Sequence, residues 1–373
     1  MMDYSQKAFL ALVKSGLWEQ DIHFAPIESI DFERVYQLAE EQSVLGLVAA
    51  GLEHIIDARV PKEDVLKIVG ETLQIERRNT AMNTFVGVLV ENMREAGIYT
   101  ILVKGQGIAQ CYERPLWRTC GDIDLYLDES NYKKAKEYLI PLASFVDNEN
   151  LYNSHLAMTI IPWTVELHGT LKGGLWKRVD RLLDEIHDDV FSNICVRVWA
   201  NGNSQVFLPR ADEDVVFVFA HILQHFFRGG IGLRQICDWC RLLYTFKDKI
   251  DTGLLLSRLN KMDVLSEWKS FAALAVHFLG MPAEAMPFFD SSNKWKKKSS
   301  RLVLVILKTG NFGYAKDYSY KKNKTLAIRL AISFWRHTTE SFEKACVFPM
   351  DSIKMWGKEM LIAGEEIVKG IVP

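Results

Sequence analysis

The sequence predicts an α+β protein: a small mixed β-sheet held between two helical regions. Two observations carry this. Apolar residues recur at helical spacing over residues 1–97 and again from residue 210 to the end, whereas residues 98–209 contain short runs that alternate at a period of two. Glycines and prolines punctuate the joins, as at Gly97, Pro141, Pro162 and Gly229-Gly230. The chain is therefore expected to divide into a helical N-terminal region (1–97), an α/β core (98–209) and a helical C-terminal domain (210–373).

In the first region Phe9, Leu10, Leu12, Val13 and Trp18 mark one amphipathic helix, and residues 32–54 a second. A third, long helix is expected over residues 62–95, with Gly97 just past its end as a natural stop. Its repeated Glu and Arg residues suit a solvent-facing side. The core opens with an apolar strand at residues 98–103, the turn Lys104-Gly105-Gln106-Gly107, a short helix and a second strand, Gly121-Asp122-Ile123-Asp124-Leu125-Tyr126-Leu127. A helix at residues 130–139 stops at Pro141. Strands at residues 154–161 and 163–171 are split at Pro162, residues 175–186 read as a helix, and residues 196–200 and 205–208 form a hairpin around Asn201-Gly202-Asn203. Asp212, Glu213 and Asp214 then fill the first turn of a helix, where negative charge suits the dipole.

Composition bounds the function. With 373 residues, 49% hydrophobic and 25% charged, the chain is an ordinary globular sequence long enough for two or three domains. A net charge of −2 gives no overall attraction to nucleic acid, so such a partner would need a local patch. Two lysine-rich stretches read as such loops, Lys294-Trp295-Lys296-Lys297-Lys298 and Tyr320-Lys321-Lys322-Asn323-Lys324, although solvated loops carry the same composition. The six cysteines are scattered, and Cys237-Asp238-Trp239-Cys240 is a lone C-x-x-C in a helical pattern, which fits reduced structural thiols. An early Asp3 without a basic leader, and no run of 18 apolar residues, place the expected location in the cytoplasm.

The chemistry is concentrated between residues 98 and 127. Alternation along the second strand points Asp122 and Asp124 to one face while Ile123 and Leu125 take the other, with the two carboxylates about 7 Å apart at the backbone. Alternating aspartates also occur on the wet side of an edge strand. Here, however, Lys104-Gly105-Gln106-Gly107 supplies a lysine and backbone amides that can face an anion, and Arg114 and Arg118 add positive charge. Two like-charged carboxylates are best reconciled by a hard divalent cation such as Mg²⁺. On a later strand Thr164, Glu166 and His168 share a face, so Glu166 can be a third carboxylate. Further on, His221, His225 and Arg228 form one helical stripe, and Arg234, Asp238 and Arg241 another. The first stripe lacks the Glu of a zinc-binding H-E-x-x-H helix, because Ile222 follows His221.

These residues resemble the nucleotidyltransferase superfamily typified by DNA polymerase beta and kanamycin nucleotidyltransferase, and more closely the bacterial uncharacterised nucleotidyltransferase family. The resemblance rests on Leu102-Val103-Lys104-Gly105, on Arg118-Thr119-Cys120-Gly121-Asp122-Ile123-Asp124-Leu125 and on Val165-Glu166-Leu167-His168. His221 and Arg234-x-x-x-Asp238 extend it, over about residues 98–245 in all. It implies an enzyme that moves a nucleoside monophosphate from a nucleoside triphosphate such as ATP to an acceptor hydroxyl or phosphate, releasing pyrophosphate. Asp122, Asp124 and Glu166 would hold two Mg²⁺ ions (Mn²⁺ as a substitute) and Glu166 would help deprotonate the acceptor. Lys104, Gly105, Gln106, Arg118, Arg234 and Asp238 would bind the nucleotide, and His168, His221 and His225 would face substrate. The superfamily's Gly-Ser pair is Lys104-Gly105 here, so Lys104 or Arg118 would replace the missing hydroxyl. The acceptor is left open among small molecule, sugar, protein and RNA. Two other readings stand beside it: a catalytically weak nucleotide-binding or regulatory module, and a transferase acting on RNA through the lysine-rich stretches.

Overall fold

The computed structural model describes residues 2–24, 30–193, 195–313 and 326–368. Helix α1 (Tyr4–Trp18) begins at a capping box, in which Asp3 accepts from the Gln6 amide and the Gln6 side chain accepts from the Asp3 amide. The single helix expected over residues 32–54 is two, α2 (Phe32–Glu41) and α3 (Leu45–Glu53). The chain turns between them at Ser43, which has a left-handed φ of 56°. That turn releases Gln42 for long-range work: its side chain accepts from the Leu233 amide (3.0 Å) and donates to the Ile306 carbonyl (3.2 Å). Helix α4 (Lys62–Glu95) has the expected length.

The sheet is built from β1 (Ile101–Val103), β2 (Asp122–Tyr126), β3 (Phe145–Val146), β4 (His155–Ile160) and β5 (Trp163–His168), in the order β1-β2-β5-β4-β3. Only β2 and β5 are parallel, and the mixed sheet matches the expected fold class. The short helix α5 (Gly105–Ala109) follows β1, α6 (Glu129–Leu139) follows β2, and β4 turns into β5 through a cis Ile161–Pro162 peptide. Helix α7 (Lys177–Asn193) outruns its expected end because Val190 extends its buried stripe. Strands β6 (Arg197–Asn201) and β7 (Ser204–Leu208) form the expected hairpin as a separate two-stranded sheet. The remainder is helical: α8 (Ala211–Phe227), α9 (Leu233–Thr245), α10 (Thr252–Met262), α11 (Leu265–Leu279), α12 (Asn293–Thr309), α13 (Leu326–Ala345) and α14 (Pro349–Val368).

Apolar side chains collect in two cores. The smaller one covers one face of the sheet, where Ile123, Leu125, Val165 and Leu167 meet Met82, Val86 and Val90 of α4 and Leu139 of α6. The larger one joins both ends of the chain: Phe9, Leu12 and Val13 of α1 share it with Phe219 of α8, Trp239 of α9, and Trp268 and Phe271 of α11. The cores thus cut across the three sequence ranges, with α1 to α3 packed into the C-terminal helices and the second half of α4 packed on the sheet. The stretch at residues 294–298 is not a loop but the first turns of α12, where Trp295 is buried and the Lys298 ammonium lies 4.3 Å from the centre of the Phe348 ring. The second lysine-rich stretch lies outside the described residues. Among the described residues, no helix is long and apolar enough to cross a membrane.

Candidate active site

The parallel pairing of β2 with β5 sets Asp122 opposite Thr164, Asp124 opposite Glu166 and Tyr126 opposite His168. Residues directly opposite in a sheet project to the same side, and neighbouring strands lie about 4.8 Å apart. Asp122, Asp124, Glu166 and His168 therefore share the face turned away from the smaller core, looking toward α8. Glu166 stands next to the aspartate strand from 42 residues further along the chain.

The turn before them is strained. Lys104 has φ 55° and ψ −143°, and Gly105 follows with φ 38°. A lysine at positive φ costs free energy that its surroundings must offset. Here its ammonium sits 2.8 Å from Asp124 Oδ1, deep in the acidic cluster. Glycine is favoured next to it: besides the positive φ, a Cβ on Gly105 would crowd Cys120 Sγ at 3.3 Å.

Charge in the cluster is unevenly balanced. Burial works to raise the Asp124 carboxyl, but the Lys104 ammonium and a 2.7 Å hydrogen bond from His168 Nε2 outweigh it and hold Asp124 ionised. Burial likewise opposes the Lys104 charge, and the carboxylates of Asp124 and Asp122 overcome it. For Asp122 the balance tips the other way: the charge of Asp124, then burial, outweigh the Lys104 and Arg234 charges and push it up to about 6. Glu166 is drawn down, against burial, by its hydrogen bond with His155 (3.0 Å). Three carboxylates thus face one ammonium at close range. An excess of oxygen donors and negative charge is the donor set that suits a hard divalent cation.

A second constellation lies beside the acidic cluster. Arg118 is buried and grips Asp238 with a two-pronged contact, Nε to Oδ1 and Nη2 to Oδ2, both 2.7 Å. Tyr112 donates to the same Asp238 at 2.7 Å. Asp238 therefore holds Arg118 in place. Arg234 donates from Nη1 to the Thr119 carbonyl (2.9 Å), while its buried Nε has no hydrogen-bond partner among the described residues. His221 and His225 meet edge to face on α8 with ring centres 4.2 Å apart. Burial and the nearby Lys104 charge depress both, His225 to about 4, so both are neutral at pH 7.

Two cavities meet on this face. One of about 260 Å³ is lined by Lys104, Gly105, Arg118, Asp122, Asp124, Glu166, His221, His225, Arg234 and Asp238. The other, about 770 Å³, shares Lys104, Glu166, His221 and His225 with it and adds His155, His168 and Arg228 among others. Gln106 departs from expectation: its side chain is buried and donates to Asn79 Oδ1 on α4 (2.8 Å), away from both cavities. Asn79 in turn donates to the Leu116 and Arg118 carbonyls (2.7 and 2.8 Å), so α4 braces the turn that carries Arg118. Neither Asn79 nor His155 stood out in the sequence. His155 could have been found, because a two-residue connection at Ile161-Pro162 pairs it with His168.

A family model described as an uncharacterised nucleotidyltransferase matches residues 28–280, more than half of the chain and including every residue of the acidic cluster. No curated protein and no solved structure matches significantly. With this match over the two strands, the strained turn and the cavity they enclose, the chain belongs to the uncharacterised nucleotidyltransferase family and is a nucleotidyltransferase.

Proposed function

We propose that the chain moves a nucleoside monophosphate from a nucleoside triphosphate to an acceptor hydroxyl or phosphate, releases pyrophosphate, and depends on Mg²⁺ or Mn²⁺. The observation that carries this is the register of Asp124 opposite Glu166, with Asp122 on the same face and an open cavity above them. Asp122, Asp124 and Glu166 would hold two divalent ions, which when bound neutralise charge on the triphosphate and on the attacking oxygen. Gly105 lets the backbone approach the phosphates, with Lys104 and Arg234 as the nearby cations. Arg118, fixed by Asp238, shapes the same wall. Glu166, ionised, accepts the proton of an acceptor entering from the larger cavity, beside His168, His221 and His225. In balance, acceptor hydroxyl and triphosphate give the nucleotidylated acceptor, pyrophosphate and a proton.

One observation favours a weaker role: the Lys104 ammonium and His168 already share Asp124 Oδ1, at 2.8 and 2.7 Å. On that reading the site binds nucleotide and turns over slowly. A thermal-shift screen of the four nucleoside triphosphates, with and without Mg²⁺ or Mn²⁺, tests both. Binding to the folded chain at a hundredfold excess over the dissociation constant adds about 2.7 kcal/mol of apparent stability. The transferase reading expects a metal-dependent shift that Asp122→Asn removes, followed by pyrophosphate release once an acceptor is supplied. A shift independent of metal and unchanged in the variant contradicts it.

A further inference from the structure

The larger cavity holds donors of a different kind from the aspartates. Cross-strand pairing of β4 with β5 sets His155 opposite His168, and Glu166 lies two residues before His168 on the same face. One ligand atom from each of His155, Glu166 and His168 falls within 4.8 Å of the others. His155 Nε2 is 3.0 Å from Glu166 Oε2, and His168 Nε2 is 3.6 Å from the same oxygen. Four-coordinate Zn²⁺, with bonds of about 2.0–2.1 Å, separates its ligand atoms by about 3.3 Å. These two separations bracket that value.

Two imidazoles and a carboxylate are not a magnesium set. Mg²⁺ takes oxygen ligands, whereas imidazole suits Zn²⁺, Cu²⁺, Fe²⁺ and Ni²⁺. These three side chains are also not sealed in a core. They line the larger cavity and keep side-chain exposures of 28%, 22% and 14%, so an ion can enter and keep an open coordination position. His221 and His225 project into the same cavity from α8, which makes it rich in imidazole. A purely structural ion pair needs neither access nor a second histidine.

We propose that His155, Glu166 and His168 form a binding site for a borderline divalent cation of the Zn²⁺ class, on the acceptor side of the aspartate cluster. It rests on the nucleotide reading above through Glu166 and through His168, whose Nε2 would exchange its 2.7 Å hydrogen bond to Asp124 Oδ1 for the cation, whereas His155 belongs to this site alone. The open position faces the larger cavity, where it would take an oxygen donor from solvent or from a bound acceptor.

The test uses the full chain, freed of metal by chelation, with Co²⁺ as a coloured probe for Zn²⁺. The site predicts one Co²⁺ equivalent with the visible absorption of a nitrogen-ligated ion, displaced by Zn²⁺ and not by equimolar Mg²⁺. His155→Ala should weaken Co²⁺ binding at least about tenfold. His155→Gln, which keeps a polar side chain, should do the same if the alanine variant fails to fold. Asp122→Asn should leave the Co²⁺ spectrum in place, because Asp122 is not one of the three donors. Absence of Co²⁺ binding, or equal binding by wild type and both His155 variants, overturns the proposal. Nucleotide binding is read separately on the same samples. Metal-dependent nucleotide binding without Co²⁺ binding sinks only this inference, and Co²⁺ binding without any nucleotide binding sinks only the transferase reading.

Discussion

Asp122 is the residue at which function and stability should conflict most visibly. Its carboxyl is pushed from 3.8 up to about 6 by the charge of Asp124 and then by burial. An acid whose folded value lies above its unfolded value destabilises the fold once ionised. The penalty is absent below about pH 4, develops between about pH 4 and 6, and is complete above that window. At 1.36 kcal/mol per tenfold change in proton affinity, a rise of about two pH units corresponds to about 3 kcal/mol. Asp122→Asn keeps the shape and removes the charge. In metal-free buffer at pH 8 the variant should therefore be more stable than wild type by up to about 3 kcal/mol. With an unfolding entropy of about 2.1 cal/mol/K per residue over 373 residues, this is a rise in Tm of about 4 °C. The difference should close as pH falls to 4, and Mg²⁺ should narrow it at pH 8 by stabilising wild type selectively. Calorimetry across pH 4–8 reads all three. A variant that melts at or below wild type at pH 8, or a gain that persists unchanged at pH 4, would refute the electrostatic argument.

Other substitutions separate positioning from binding. Asp238→Asn leaves the buried Arg118 guanidinium without its counter-charge and should cost about 3–5 kcal/mol in denaturant unfolding, far more than a surface ion pair. Gly105→Ala places a Cβ at φ 38° beside Cys120 and should lower stability by about 1–2 kcal/mol, measured in the same way. Asn79→Ala removes the brace on Gln106 and on the Leu116 and Arg118 carbonyls. It should lower stability by about 2–3 kcal/mol and weaken nucleotide binding, although Asn79 lines neither cavity. Glu166→Gln should abolish metal-dependent nucleotide shifts, as Asp122→Asn should, while Gln106→Glu tests the corrected position of Gln106: burial of an unpaired charge should impair folding rather than binding alone.

What the sequence disclosed was local. Alternation alone fixed which residues of β2 and β5 share a face, so Asp122, Asp124 and Glu166 could be chosen together. The parallel register that makes Asp124 and Glu166 neighbours is a long-range pairing with no local signature. The same limit hid the grip of Asp238 on Arg118, 120 positions apart. The helical period ran unbroken through residues 32–54 because α2 and α3 both bury into the larger core, which concealed the turn at Ser43. At residues 294–298 the lysines suggested a loop, while Trp295, Ser299, Leu302, Val303 and Ile306 already carried the spacing of a buried helical stripe. Apolar residues bear no address, so the union of α1 with α8 to α11 in one core was not readable either.

The most direct test of the acidic cluster as a metal–triphosphate site is a crystal structure of the chain with Mn²⁺ and a non-hydrolysable nucleoside triphosphate, recorded with anomalous scattering. The account predicts manganese peaks bounded by Asp122, Asp124 and Glu166, with the triphosphate against Gly105. Nucleotide bound elsewhere, or an acidic cluster without manganese and with Lys104 still paired to Asp124, would contradict it.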